Sequence, residues 1–338
     1  MTYDILIKEY RANMLENTHT GIICGVNDQL QTAFHVGDTE QYVFLRSAAK
    51  PIQAIPVFMT NIIEKYQLTK QESALFMASH RGESYQVDAL ESMLSKLPVE
   101  EEELYCAPSY PLNKSPQQQV IREGKVKRKL YHNCAGKHMG FITVCRELGY
   151  SVDEYWKPEH PLQQQILHIL AKLSNMAVDQ IKIGIDGCGV PVFAIPLENM
   201  AICFLKLGCP DLIEDIEIRK AVVKLTAAMN RHYNMIASEN FICSTLLQSS
   251  NIVAKGGAQG VYCFALKEER IGIALKVMNG SEDVWPNIIA SILEQINYKD
   301  KNMIQYLKEL RPPFIKNDAG DIVGHIEDSF VVNQFKLI

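Results

Sequence analysis

The sequence predicts a mixed α/β or α+β protein whose sheet draws strands from both ends of the chain. Short β-rich runs cluster before residue 47 and return between residues 251 and 278 with glycine-bearing turns. Between these blocks, apolar residues recur mainly at helical spacing. Such an order of strands, helices and strands suits a sheet assembled from distant segments.

The elements follow in order. DILIKEY (4–10) alternates apolar and polar residues, the pattern of a half-buried strand, and GIICGV (21–26) and YVFLR (42–46) are short β-rich runs. Residues 51–66 and 69–77 read as helices, and residues 84–97 place apolar side chains at helical spacing. Residues 98–131 are rich in proline, glutamine and charge and predict a long irregular connection, often a functional feature in a compact chain. Within it KVKRK (125–129) reads as a solvated face. Helices are expected at 136–150 and 160–176, then a short strand, IKIGI (181–185), broken by D-G-C-G-V-P. A helix over 211–231 precedes three adjacent strands, NIVAK, GVYCFAL and RIGIALKVM, and a helix over 282–297 follows them. There is no internal repeat.

The chain has 338 residues, long enough for a substantial core without disulfides or metals. A net charge of −5 argues against a general nucleic-acid or membrane-surface binder, which needs a basic face. The first residues lack the basic head and apolar stretch of a secretion signal, and no run of about twenty apolar residues predicts a membrane span. Nine cysteines, an odd number and several in apolar runs, point to free buried thiols and to the cytoplasm.

Five stretches carry candidate chemistry. In R-S-A-A-K-P (46–51), Ser47 precedes Lys50 by three residues. A neutral lysine amine can take a serine's proton if burial or a nearby cation lowers its pKa. Pro51 disfavours helical geometry at Lys50, so both side chains are expected in the turn before a helix, where a capping serine is the plainer reading. S-H-R-G-E (79–83) ends an apolar helix with a polar turn. H-N-C-A-G-K-H (132–138) crowds polar groups before a helix, whose N-terminus lowers a thiol pKa. D-G-C-G (186–189) is a tight turn after a strand, and Cys134 with Cys188 would suit zinc if the fold brings them together. Lys255 enters a Gly-Gly turn, where it points either into a cleft or to solvent.

Together these motifs, with Glu16-x-x-His19-x-Gly21, D-G-C-G-V-P (186–191) and A-K-G-G-A-Q-G (254–260), resemble the L-asparaginase II family, the Rhizobium-type (class 3) asparaginases. The resemblance spans nearly the whole chain. It implies a fold like the serine β-lactamases and penicillin-binding enzymes: a single catalytic unit over residues 1–338 with sheet-containing and helical lobes. It also implies a homodimer that hydrolyses L-asparagine to L-aspartate and ammonia. Ser47 would be the nucleophile with Lys50 as base, and Ser79 with Lys255 a second Ser-Lys pair. Cys134, Lys137 and Cys188 would bind Zn2+. Asp186, Arg46, His80 and Lys137 would meet the substrate. Two lysines in one pocket disfavour each other's protonation, which agrees with the assigned roles.

The chain departs from the family pattern in four places, two of them Leu45 in the S-R-S lead-in and Ala135 where a serine is frequent. Residues 238–245 read S-E-N-F-I-C-S-T where the family usually carries an arginine and an aspartate, and Asn279 stands where the family has aspartate. These departures leave open a zinc- or amino-acid-binding homologue without turnover. A β-lactamase-like serine hydrolase is the other alternative, against which stands the absence of K-T-G or S-D-N elements.

Overall fold

A computed structural model describes residues 3–332. Four strands come first: β1 (Asp4–Arg11), β2 (Met14–Val26), β3 (Thr32–Val36) and β4 (Tyr42–Phe44). Eight helices follow: α1 (Lys50–Gln53), α2 (Ile55–Met59), α3 (Ile62–Lys65), α4 (Lys70–Ala74), α5 (Ser84–Lys96), α6 (Lys114–Arg122), α7 (Ala135–Leu148) and α8 (Pro161–Ser174). After the strands β5 (Lys182–Ile185) and β6 (Pro191–Pro196) come α9 (Leu197–Gly208), α10 (Ile216–Arg231), α11 (Tyr233–Ile236) and α12 (Ile242–Leu247). The chain then forms β7 (Ile252–Gly257), β8 (Val261–Leu266) and β9 (Ile271–Val277), α13 (Trp285–Gln295), α14 (Lys301–Leu310), β10 (Phe314–Lys316) and β11 (Ile322–Asp328). The architecture is mixed α+β, with its main sheet built from both ends of the chain.

Two compact units share these elements. The first comprises residues 1–48, 195–208 and 240–338. Its antiparallel sheet runs β10-β11-β1-β2-β9-β8-β7, with β3 also paired to β2. Residues of β7 and β8 are buried throughout, so these strands read as continuous apolar runs rather than alternating ones. Helix α9 lies against β2, β8 and β9, and α13 against β1 and β11. Each large side chain buried between these layers, such as Phe264 or Leu275, contributes roughly 1.5–3 kcal/mol.

The second unit comprises residues 49–194 and 209–239 and is mostly helical. Its centre is α7, in which every residue from Ala135 to Cys145 is buried. Gly136 allows this placement, because a Cβ there would strike the Leu75 carbonyl oxygen. Helices α2, α3, α5 and α8 surround α7, and β5 and β6 form an antiparallel hairpin.

Three expectations need correction. The helix expected over 51–66 is divided into α1, α2 and α3, because Pro51 and Pro56 each sit in a first turn and start a new helix, and Thr60 is extended. The irregular stretch 98–131 contains α6, a nine-residue helix that buries none of its side chains, so apolar periodicity could not announce it. KVKRK is not a plain solvated face. Arg128 pairs with Glu91 and Glu101, and Lys129 Nζ donates to the carbonyls of Glu102 and Leu104. All nine cysteines are buried thiols outside any disulfide. Among the described residues, no helix is long and apolar enough to cross a membrane.

Candidate active site

Lys50 opens α1 directly after a 3-10 turn over Arg46–Ala49. Its side chain is fully buried. The Nζ lies 2.8 Å from the Ala78 carbonyl oxygen, 2.9 Å from that of Asn133 and 3.0 Å from Ser79 Oγ. Carbonyls only accept, so they take two N–H bonds. In the neutral amine the lone pair then faces the Ser79 hydroxyl. Burial lowers the Lys50 pKa, the Lys137 charge lowers it further, and the negative charge of the Cys134–Cys188 pair opposes the shift.

Ser79 lies in the extended segment after the 3-10 turn Leu75–Met77, and its amide donates to the Ile236 carbonyl at 2.8 Å. His80 is buried beside it, its Nε2 2.6 Å from the His132 carbonyl oxygen. That carbonyl requires Nε2 to carry the proton, which makes Nδ1 an acceptor. Among the described residues, Nδ1 has no hydrogen-bond partner. Burial brings the His80 pKa down to about 4, so the ring is neutral near pH 7.

Cys134 caps α7 by position, and its amide donates to His132 Nδ1. Its pKa is well below the usual thiol range because Cys188 donates a hydrogen bond to it and the charges of Lys50 and Lys137 face it, against the cost of burial. The Cys188 thiol is raised accordingly, since it holds the proton that the pair retains. Lys137 Nζ donates to Cys188 Sγ at 3.1 Å. Burial disfavours its charge, yet Cys188, Cys134 and Asp186 together hold its pKa above the usual value.

The turn carrying Cys188 is built locally. The Asp186 amide bonds to the Val190 carbonyl, and Asp186 Oδ1 accepts from the Gly187 amide. Gly189 has φ +88, and a Cβ there would strike the Tyr105 ring, so both conformation and space require glycine. Tyr105 stacks on Trp156, and its amide donates to the Tyr155 hydroxyl, which also lies 2.7 Å from His138 Nδ1.

The helical unit therefore brings together Lys50 with Ser79, and Cys134 with Lys137 and Cys188, with His80 and Asp186 beside them. Arg46, Ser47 and Lys255 belong to the sheet unit. There Arg46 has φ +50, an uncommon conformation for a non-glycine residue. Gly257 ends β7 close against this turn, where a Cβ would lie 2.5 Å from the Leu45 carbonyl oxygen. Lys255 is buried in β7, with Nζ 2.8 Å from the Gly256 carbonyl oxygen. Asn279 donates from Nδ2 to His19 Nδ1 at 3.0 Å, which ties the family-like His19 to the turn after β9. Tyr105 and Tyr155, which pack beside the Cys188 turn, carry no motif that would flag them in the sequence.

The family profile of L-asparaginase II matches residues 7–328. No curated protein matches the chain significantly. Among solved structures, the chain is similar to a provisionally assigned beta-lactamase from Bacteroides dorei DSM 17855. The TM-score is 0.45 at 11% identity, over 81% of this chain and 93% of that one. It is also similar to a beta-lactamase from Mycobacterium bovis, with a TM-score of 0.40 at 14% identity, over 81% of this chain and 94% of that one. The profile covers almost the whole length, so the chain belongs to the L-asparaginase II family.

Proposed function

We propose that the protein hydrolyses L-asparagine to L-aspartate and ammonia through a serine activated by Lys50. The observation that carries this reading is the buried Lys50 amine, with two N–H groups committed to carbonyls and its remaining direction facing Ser79 Oγ. Ser47, three residues earlier in the chain, is assigned the attack. Its oxygen bonds to the carboxamide carbon while its proton passes through the Ser79 hydroxyl to Lys50. The tetrahedral intermediate collapses, the C–N bond breaks, and the nitrogen leaves as ammonia after taking a proton from Lys255. Water then adds to the acyl carbon, giving a proton to the now neutral Lys255, and the bond to Ser47 breaks as Lys50 returns its proton through Ser79, so that L-aspartate is released and Ser47 and both lysines are restored. Asp186 is assigned to the substrate ammonium, Arg46 to its α-carboxylate, and His80 Nδ1 to a substrate N–H.

Cys134, Lys137 and Cys188 fit a zinc site. All three are buried and joined by hydrogen bonds, and one thiol is already inclined to ionise. Among the described residues, no group of three or more His, Cys, Asp or Glu offers a metal site, because the third donor here is a lysine. Bound there, zinc would supply a Lewis-acidic anchor for the substrate. Lys137 and Cys188 must then release their protons. The reading also takes the enzyme to be a cytoplasmic homodimer acting on a free small molecule.

The test is ammonia release from L-asparagine by wild type, Ser47→Ala, Ser79→Ala, Lys50→Met and Cys188→Ala, with bound zinc quantified in each. Activity in wild type alone, with zinc depleted in Cys188→Ala, is the expected result. A folded, zinc-loaded wild type that releases no ammonia overturns the reading. One observation favours binding without turnover: the three acceptors around Lys50 would also satisfy an ammonium. The same assay separates the two.

A further inference from the structure

Gln86 is a neutral polar side chain with no exposed surface, at the third position of α5. Glutamine at this position commonly reaches back to the amide that precedes the helix, and Gln86 Oε1 does accept from the Glu83 amide at 3.2 Å. Capping requires nothing more. Yet Oε1 also accepts from the Arg81 amide at 2.9 Å, and Nε2 donates to the carbonyls of Asn234, at 2.9 Å, and Ala237. All four hydrogen-bonding positions of the carboxamide are thereby used, with both sides joined to backbone.

The two segments it joins are informative. One is Ser79–Glu83, which begins at the serine facing Lys50. The other is 234–237, whose Ile236 carbonyl accepts from the Ser79 amide at 2.8 Å. Tyr85 Oη donates to Asn234 as well, at 3.2 Å, but Tyr85 makes no bond to the 81–83 backbone among the described residues. We propose that Gln86 is a positioning residue for the hydrolytic reaction: its carboxamide holds Ser79 in register with the Lys50 amine by tying the 79–83 loop to 234–237. This rests on the amidohydrolase reading above. No other side chain of this length offers two acceptor and two donor directions on one rigid plane without charge. A glutamate would turn its second oxygen towards two carbonyl oxygens, which repel it.

The test compares wild type, Gln86→Met, Gln86→Glu and Tyr85→Phe in the full chain. Gln86→Met keeps length and burial without a charge and serves if Gln86→Glu does not fold. Misplacing a catalytic group by about 1 Å costs about 100-fold, so kcat for ammonia release is expected to fall roughly 10- to 100-fold in Gln86→Met. KM should change less than kcat, because His80 is the one assigned substrate contact within this segment. Tyr85→Phe should leave kcat near wild type, although it loses a bond to the same carbonyl. A folded Gln86→Met with wild-type kcat overturns the proposal, as does an equal kcat loss in Tyr85→Phe. Amide hydrogen exchange over residues 79–83 provides a readout independent of turnover. If wild type releases no ammonia, the proposed function fails, while the tether is still judged by exchange. Faster exchange confined to 79–83 in Gln86→Met supports it, and unchanged exchange overturns it.

Discussion

Lys50 and His80 show how burial sets chemistry at single residues. Lys50→Met should lower ammonia release by about 1,000-fold or more, since both base and proton carrier are lost, while leaving a folded protein. Steady-state kinetics checks this, and loss under tenfold would remove Lys50 from the mechanism. His80 makes a prediction about stability. Its folded pKa of about 4 lies below the ordinary value of 6.5. Between these values the unfolded chain binds a proton that the folded chain does not, so stability falls as pH falls through this window and levels off below it. The loss is on the order of 3 kcal/mol. Denaturant unfolding across the window should show a shallower acid slope in His80→Gln than in wild type.

Turns and caps decide what single elements present. Gly189→Ala should displace the Cys188 turn, through its positive φ and its contact with Tyr105, and reduce bound zinc more than it reduces helical signal. Zinc quantification beside circular dichroism checks this. In α4, Thr69 accepts from the Glu72 amide while Glu72 Oε2 accepts from the Thr69 amide, and Glu72 also pairs with Lys96. Thr69→Ala should cost about 1 kcal/mol. Against the cost of burial, Lys96, Ser92 and Thr69 hold the Glu72 carboxyl below its ordinary range. Its contribution is therefore present above the unfolded carboxylate pKa and lost as pH falls through the folded value. At this scale the sequence was legible where apolar side chains recur at helical spacing, as in α5 and α8, and where glycine turns bound continuous apolar runs, as in β7 to β9. It was not legible in α6, whose residues bury nothing, nor in α14, β10 and β11, which bury few side chains.

At the scale of the molecule, the sheet joins the two ends of the chain. Ile7 to Arg11 of β1 pair with Gly324 to Asp328 of β11, so this register forms only after a long loop closes. Ile326, buried at this junction opposite Glu9, should not tolerate a charge: Ile326→Asp is expected to destabilise the sheet unit by several kcal/mol, about as much as other severe core substitutions. Thermal unfolding checks this, and an unchanged midpoint would mean that β11 contributes little.

By itself the sequence determined the family and the α+β class and pointed to the side chains proposed to react, because motif residues and apolar patterns are local properties of the chain. The tertiary structure alone decided that Lys50 faces Ser79, that Cys134, Lys137 and Cys188 share one buried cluster, and that Gln86 joins two backbone segments. The links from Lys50 to Ser79, from Lys137 to Cys188 and from Gln86 to Asn234 and Ala237 span 29 to 151 positions. Burial and hydrogen bonding at such separations depend on how α7 and its neighbours pack, which no short stretch of sequence contains.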